Sequence, residues 1–242
     1  MAGVLGVLII IGASLFMIMH PRQAPVQASV ASNPDTAVIV TKNASTSIYG
    51  MTISYPNDPR DAAHTIPIFI EALIMSQSKQ WTAEAASTSP EFFHRYQLWV
   101  DYATSTSQKL NIRCYDITIT EDTGGAHPNG SLSSHCFATN NTEVTFDTHF
   151  TDATSTLQFL ASTTPSRLQK VIGQDMYDPK WATEGTAPTK DNFAVMTIDD
   201  SGVTFTFQSY QVGPYAIGRP AVTYSWDELR QYMNPSFKLP LD

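Results

Sequence analysis

The sequence predicts an α+β domain with helices packed on an antiparallel sheet. Three observations carry that expectation. Apolar residues alternate along short segments, as in Tyr49, Met51, Ile53, Tyr55 and again Tyr96, Leu98, Val100, Tyr102, the period of half-buried strands. Ile66, Phe69, Ile70, Leu73 and Ile74 recur instead at helical spacing. The strand-like segments come in runs separated by turn residues, which favours antiparallel pairing over a parallel α/β order.

In chain order, residues 3–19 form an apolar run without a charge, stopped by His20, Pro21 and Arg22. A run of this length stands between a signal-peptide core and a short transmembrane helix, so residues 1–22 read as a signal anchor or signal peptide. Val26 and Ala28 would offer a signal peptidase a site, and an uncleaved anchor is the favoured form. Membrane attachment through this segment, with the domain outside the cytoplasm, is the expectation; cleavage would make the domain secreted. Residues 23–46, rich in Pro, Ala, Ser, Val and Thr, read as a tether, although 37–40 could open a first strand.

The first clear strand ends at Pro56, and Asn57-Asp58-Pro59 offers a helix start. The helix should run to about Lys79, with Pro67 confined to its first turn. The strand at residues 96–102 and two strands around Cys114 and Cys136 then make a meander, followed by a short strand at Val144 and Phe146. Leu157, Phe159 and Leu160 belong to a short helix, and Thr164-Pro165 starts another that stops near Gly173. A hairpin turns at Asp199-Asp200-Ser201-Gly202, with Val203, Phe205 and Phe207 facing inward, and residues 219–224 add a third strand. Ser225 and Glu228 have the spacing of a capping box for a last helix.

Cys114 and Cys136 are symmetric about Gly125, so a hairpin centred there sets them facing across two strands. In an oxidising compartment that is a disulfide; otherwise the pair is two buried thiols. The apolar phase switches from Leu110, Ile112, Cys114 to Tyr115, Ile117, Ile119. Such a switch marks a bulge or a strand buried on both faces, and places the bridge as a near neighbour rather than a directly opposed pair.

The net charge of −8 and the absence of a basic cluster argue against nucleic acid as a partner. An acidic surface attracts cationic partners instead. Two loops hold the unusual residues. In residues 123–130, Gly124 and Gly125 allow positive φ, His127 is displayed at a tip and Asn129 follows; no Lys and no helix make this a phosphate loop. It is a recognition loop or a structural hairpin. In residues 210–220, Tyr210 and Tyr215 bracket a turn rich in Gly and Pro, ahead of Arg219; tyrosines so placed are binding anchors or buried caps. His127, His135 and His149 match no metal-ligand spacing, so neither a metal nor a cofactor is expected. Ser131, Ser133 and Ser134 lack a nucleophile elbow, and the acidic pairs Glu121-Asp122 and Asp199-Asp200 read as turn residues. The reading is therefore of a protein that is not an enzyme.

The Gly124-Gly125-Ala126-His127-Pro128-Asn129-Gly130 hairpin, the later hairpin through residues 201–207, and Tyr210 to Gly218 in this order resemble the extracytoplasmic domain of RsiV-type anti-sigma factors. The same segments resemble the non-catalytic N-terminal region of PdaC-type peptidoglycan deacetylases. The likeness runs from about Ile48 to Met233. It implies a two-part unit, PdaC-like over 47–151 and RsiV-like over 152–242, the parts sharing a core. It also implies a bacterial envelope location and a binding module that engages a lysozyme-like muramidase or peptidoglycan. Gly124, Gly125, His127, Asn129, Tyr210, Tyr215 and Arg219 would supply part of its surface. With only Met1 and Ala2 ahead of the apolar run, no sigma-factor-binding segment is expected, and the deacetylase catalytic domain with its metal-binding Asp and His residues is not expected either. A glycan-active, metal-dependent hydrolase and a purely structural envelope protein are the alternatives.

Overall fold

The computed structural model describes residues 36–237. The apolar run at 3–19 and most of the expected tether lie outside them. Among the described residues no helix is long and apolar enough to cross a membrane.

The fold is α+β, with two sheets where the sequence predicts one. Five strands, β1 (Val38–Ser45), β2 (Tyr49–Asn57), β3 (Tyr96–Ser107), β4 (Ile112–Asp122) and β5 (Asn129–Ala138), lie side by side in chain order. Three more, β6 (Met196–Ile198), β7 (Gly202–Thr206) and β8 (Ala221–Ser225), form a second, antiparallel sheet. β1 fills residues 38–45, so the tether ends earlier than the expected 46 and the possible strand at 37–40 is a full one.

The larger sheet is mixed rather than antiparallel. Helix α1 (Thr65–Ser87) connects β2 to β3 and returns the chain to the same end, so these two strands pair in parallel while the other pairs are antiparallel. The start of α1 lies later than Asn57-Asp58-Pro59, because the Asp61 carboxylate caps it, accepting from the Thr65 and Ile66 amides at 2.7 and 2.9 Å. Pro67 falls in the first turn, where its missing N–H costs no helical bond. The helix passes Lys79 because Trp81 is buried between Tyr49 and Tyr96, with ring centroids 6.0 and 5.4 Å away. Asp58, freed from capping, is 2% exposed and accepts from the Tyr115 hydroxyl at 2.6 Å and from Arg113 at 2.9 Å. Burial pushes the Tyr115 phenol up, so it stays a donor to that carboxylate.

Strand β4 explains the phase switch. Its register with β3 and β5 is continuous, without a bulge. Tyr115, Ile117 and Ile119 face a core under α1, with Ile53, Ile70, Trp81 and Leu98. Ile112 and Cys114 face a second core, shared with Cys136, Phe146, Leu157, Leu160, Phe205 and Trp226 from the later part of the chain. The two parts of the chain thus share the second core, which β4 reaches with the face turned away from α1. Cys114 and Cys136 are disulfide-bonded, and they are directly opposed rather than near neighbours. The Cys136 carbonyl accepts from Val144 on the far side, so this is a non-hydrogen-bonded pair, where strands approach most closely.

After β5 come helices α2 (Phe146–His149), α3 (Ala153–Ile172) and α4 (Pro179–Gly185), then the second sheet and α5 (Trp226–Leu229). The expected strand at Val144 and Phe146 is instead the α2 turn, closed by a Thr145–Thr148 capping box. The expected break at Thr164-Pro165 does not occur. α3 runs through Pro165, with Thr163 and Thr164 hydroxyls bonded to the Phe159 and Leu160 carbonyls at 2.8 and 2.6 Å. Buried Leu160, Thr164 and Leu168 on both sides of the proline hold the helix to β8, where the Tyr224 hydroxyl meets Thr163 and Thr164 at 2.8 and 2.7 Å. The Ser225–Glu228 capping box is formed, both bonds to the Glu228 carboxylate being 2.9 Å.

Candidate functional site

The two unusual loops, more than 80 residues apart in sequence, meet at one end of the larger sheet. Side-chain amides bring them together. Gln208, just beyond β7, accepts from the Leu132 amide at 3.0 Å and donates to its carbonyl at 2.5 Å, taking the place of a strand partner on the free edge of β5. Gln211 donates to the Gly185 and Asn192 carbonyls at 2.9 Å each, and accepts from the Gln208 amide at 2.9 Å. The Trp181 indole donates to the Tyr210 carbonyl at 2.9 Å. These bonds hold Tyr210 at φ 68°, in the left-handed region that non-glycine residues seldom occupy.

The result is an aromatic shelf. His127 stacks on Tyr215 with centroids 3.9 Å apart and planes 15° apart, and Tyr210 lies 5.6 Å from Tyr215. His127 Nδ1 is 3.0 Å from the Pro128 carbonyl, and Nε2 is 3.0 Å from the Tyr210 hydroxyl. A carbonyl only accepts, so Nδ1 carries the proton and, in the neutral ring, Nε2 accepts from Tyr210. Tyr210 and Tyr215 are nonetheless 50% and 40% exposed. Beside the shelf opens a cleft of about 600 Å³, lined by Thr120, Pro128, Asn129, Gly130, Tyr215 and Arg219 among others. The Arg219 guanidinium lies over Gly130, where a Cβ would stand 2.4 Å from its Nη2. Arg219 has no ion-pair or hydrogen-bond partner among the described residues.

The site residues expected from sequence divide into two groups. His127, Asn129, Tyr210, Tyr215 and Arg219 come together at the shelf and cleft. Gly124 and Gly125 do not line it. Gly124, at φ 83°, donates to the Asp122 carboxylate and packs on His94, where a Cβ would be 2.8 Å away, so it shapes the turn; Gly125 does not take the positive φ expected of it, and a Cβ there would meet only the His127 carbonyl at 3.8 Å. Sequence reasoning misses Gln208, Trp181 and Thr120. Trp181, an isolated tryptophan beside Pro179, carried a faint signal; the amide clamp carried none.

The remaining reactive groups are dispersed. His135 on β5 bonds Glu143 at 3.1 Å, and His149 is buried in the second core, where desolvation lowers its pKa to about 4. With His127 at the loop tip, the three histidines do not converge. Among the described residues no group of three or more His, Cys, Asp or Glu could hold a metal. Ser134 donates to the Met196 carbonyl at 2.8 Å, and Asp199 and Asp200 cap neighbouring backbone amides.

Comparison with known proteins follows the second half of the fold. Residues 150–227, from just after α2 into the start of α5, match a family described as Protein of unknown function (DUF3298). That segment includes Tyr210, Tyr215 and Arg219 but not His127. No curated protein matches the chain. Two solved structures share its fold. A DUF3298 family member from Bacteroides fragilis is 16% identical, with a TM-score of 0.52 over 83% of this chain and 93% of that one. A DUF3298 family protein from Pseudomonas aeruginosa is 10% identical, with a TM-score of 0.56 over 86% of this chain and 99% of that one. At these identities the likeness is one of fold.

Proposed function

We propose that the chain is a non-catalytic binding module of the bacterial cell envelope, held outside the cytoplasm, that engages peptidoglycan or a lysozyme-like muramidase through the shelf and cleft. One observation carries this reading. The Arg219 guanidinium, without a partner among the described residues, stands in a cleft beside two exposed, hydrogen-bonded tyrosines, and such a set does little for the core. Aromatic faces take the apolar faces of sugar rings or a protein's apolar anchors, while a free guanidinium takes a carboxylate. The export reading is supported by the Cys114–Cys136 disulfide and the apolar run at residues 3–19. The muramidase reading has its own support in the net charge of −8, which favours a strongly basic partner.

The test is binding of the purified chain to lysozyme and to purified sacculi across a salt series. Saturable binding to either is expected, with Tyr215→Ala weakening it roughly tenfold or more at unchanged thermal stability. Hydrolysis of sacculi by the purified chain, or a melting temperature lowered by Tyr215→Ala with no binding to lose, would replace the reading by an enzyme or a structural protein respectively.

A further inference from the structure

The cleft is one end of a longer feature. Directly paired strand residues point to the same face of a sheet. The register therefore places Asn43, Thr52, Trp99, Thr120 and Gly130 in one row across all five strands, on the face opposite α1. Thr120 and Gly130 line the cleft at one end of this row. In its middle Trp99 is 40% exposed, at a strand position where its neighbours Leu98 and Val100 are buried in the core under α1.

At the other end stands a second cleft of about 310 Å³, lined by Asn43, Ser45, Gly50, Thr52, Arg95 and Gln97 among others. There Arg95 repeats the arrangement of Arg219. Its guanidinium lies over Gly50, where a Cβ would be 3.2 Å from both terminal nitrogens. It bonds only neutral groups, the Thr46 and Tyr49 carbonyls at 3.0 Å and the Ser45 hydroxyl at 2.9 Å. Two glycines thus open the sheet face to two guanidinium groups that no carboxylate neutralises among the described residues, with an exposed indole between them. Gly130 and Gly50 lie on strands three spacings apart, roughly 14 Å across the sheet. Three carboxylates share this face, and one of them, Asp116, accepts from the Thr197 hydroxyl at 2.8 Å. Asp122 is engaged by His94 and by the Gly124 amide. Asp101, two residues beyond Trp99, keeps anionic groups away from the centre.

We propose that this face is a track for a linear glycan bearing carboxylates, running from Tyr215 and Arg219 across Trp99 to Arg95. Sugar rings stack on Tyr215 and Trp99, and the carboxylates fall at the two arginines. This rests on the reading of the chain as a binding module and extends it from one cleft to several consecutive subsites. A globular partner needs no such row, whereas a polymer gains affinity with each further ring that reaches a subsite.

The experiment is titration of the purified chain with soluble peptidoglycan glycan fragments, from disaccharide to octasaccharide, by calorimetry. Affinity should rise with length for the native chain. Trp99→Ala should flatten the rise of affinity with length, costing roughly tenfold at the octasaccharide and less at the disaccharide, and Trp99→Phe should restore most of it. Tyr215→Ala should weaken every length. Equal affinity for all lengths, or octasaccharide binding unaltered by Trp99→Ala, overturns the track and leaves the binding module standing. So does binding to lysozyme with none to any fragment. Binding to neither overturns both.

Discussion

On the outer shelf His127 stacks at 3.9 Å on Tyr215, and both of its ring nitrogens have a polar partner at 3.0 Å. In the second core His149 is ringed by Phe150, Trp226 and Phe237 with centroids 4.8 to 6.0 Å away, and neither nitrogen has a hydrogen-bond partner among the described residues. The same side chain among aromatic rings is fully served where water could have served it, and left unserved where water cannot reach. The core tolerates the cost because the surrounding burial is large. The shelf is the more informative case. Its rings are fixed by polar bonds and a strained backbone yet remain open to solvent, so packing does not account for them.

The disulfide offers the largest perturbation of that contrast, because it lies between the two regions. Cys114 and Cys136 belong to the second core, and the hairpin they close carries His127 at its tip. A bridge with a sequence separation of 22 contributes roughly 3.5 kcal/mol, chiefly by restricting the unfolded chain. Urea titration with and without a thiol reductant should show a loss of that order. Shelf affinity in the reduced but still folded protein should change little, since Gln208 and Gln211 tie the loops independently of the bridge. A reductant that abolishes binding before it lowers the midpoint would contradict this division of labour.

Acid should distinguish the two histidines next. The folded-state pKa of His149, about 4, lies below its ordinary 6.5, so folding favours the neutral ring. That contribution is complete above pH 6.5 and disappears as the pH falls through 4, a loss of about 3 kcal/mol. His149→Phe removes the group while keeping an aromatic ring in the space. Urea midpoints of the two proteins, measured from pH 7 to 4, should therefore diverge as the pH falls, the native chain declining more steeply. Parallel curves would mean that His149 is protonated in the fold.

What was legible in the sequence was local. The symmetric cysteines, the Ser225–Glu228 box, the inward face of β7 and the two loops each depend on residues close together in the chain. What was not legible depends on distant partners. Asp58 reads as part of a helix start until Arg113 and Tyr115, more than 50 positions away, claim its carboxylate. Pro165 reads as a break until Tyr224 and the buried face of α3 outweigh it. The phase switch in β4 left a bulge and a two-faced strand equally open, because only the fold supplies the second core. The candidate residues were visible singly, whereas their convergence rests on the Gln208 clamp, whose amide has no pattern to read. Trp99 lies within the strand the alternation predicts over 96–102 and carries no signal of its own; its exposure is a property of the sheet face.

The smallest expected effect bears most directly on the shelf. Tyr210 sits at φ 68°, a conformation that glycine adopts freely and tyrosine does not. Tyr210→Gly relieves that strain but also removes a half-exposed ring and the hydroxyl bonded to His127. These contributions nearly offset, so the unfolding free energy from urea titration should move by less than about 1 kcal/mol, in the stabilising direction if strain is the larger. Binding should fall in the same variant, because the shelf loses one of its rings and His127 loses a fixed orientation. Stability kept or gained together with affinity lost is the signature of a backbone strained for recognition. A clear loss of stability would instead assign Tyr210 to packing, and would return the shelf to the same standing as the aromatic ring around His149.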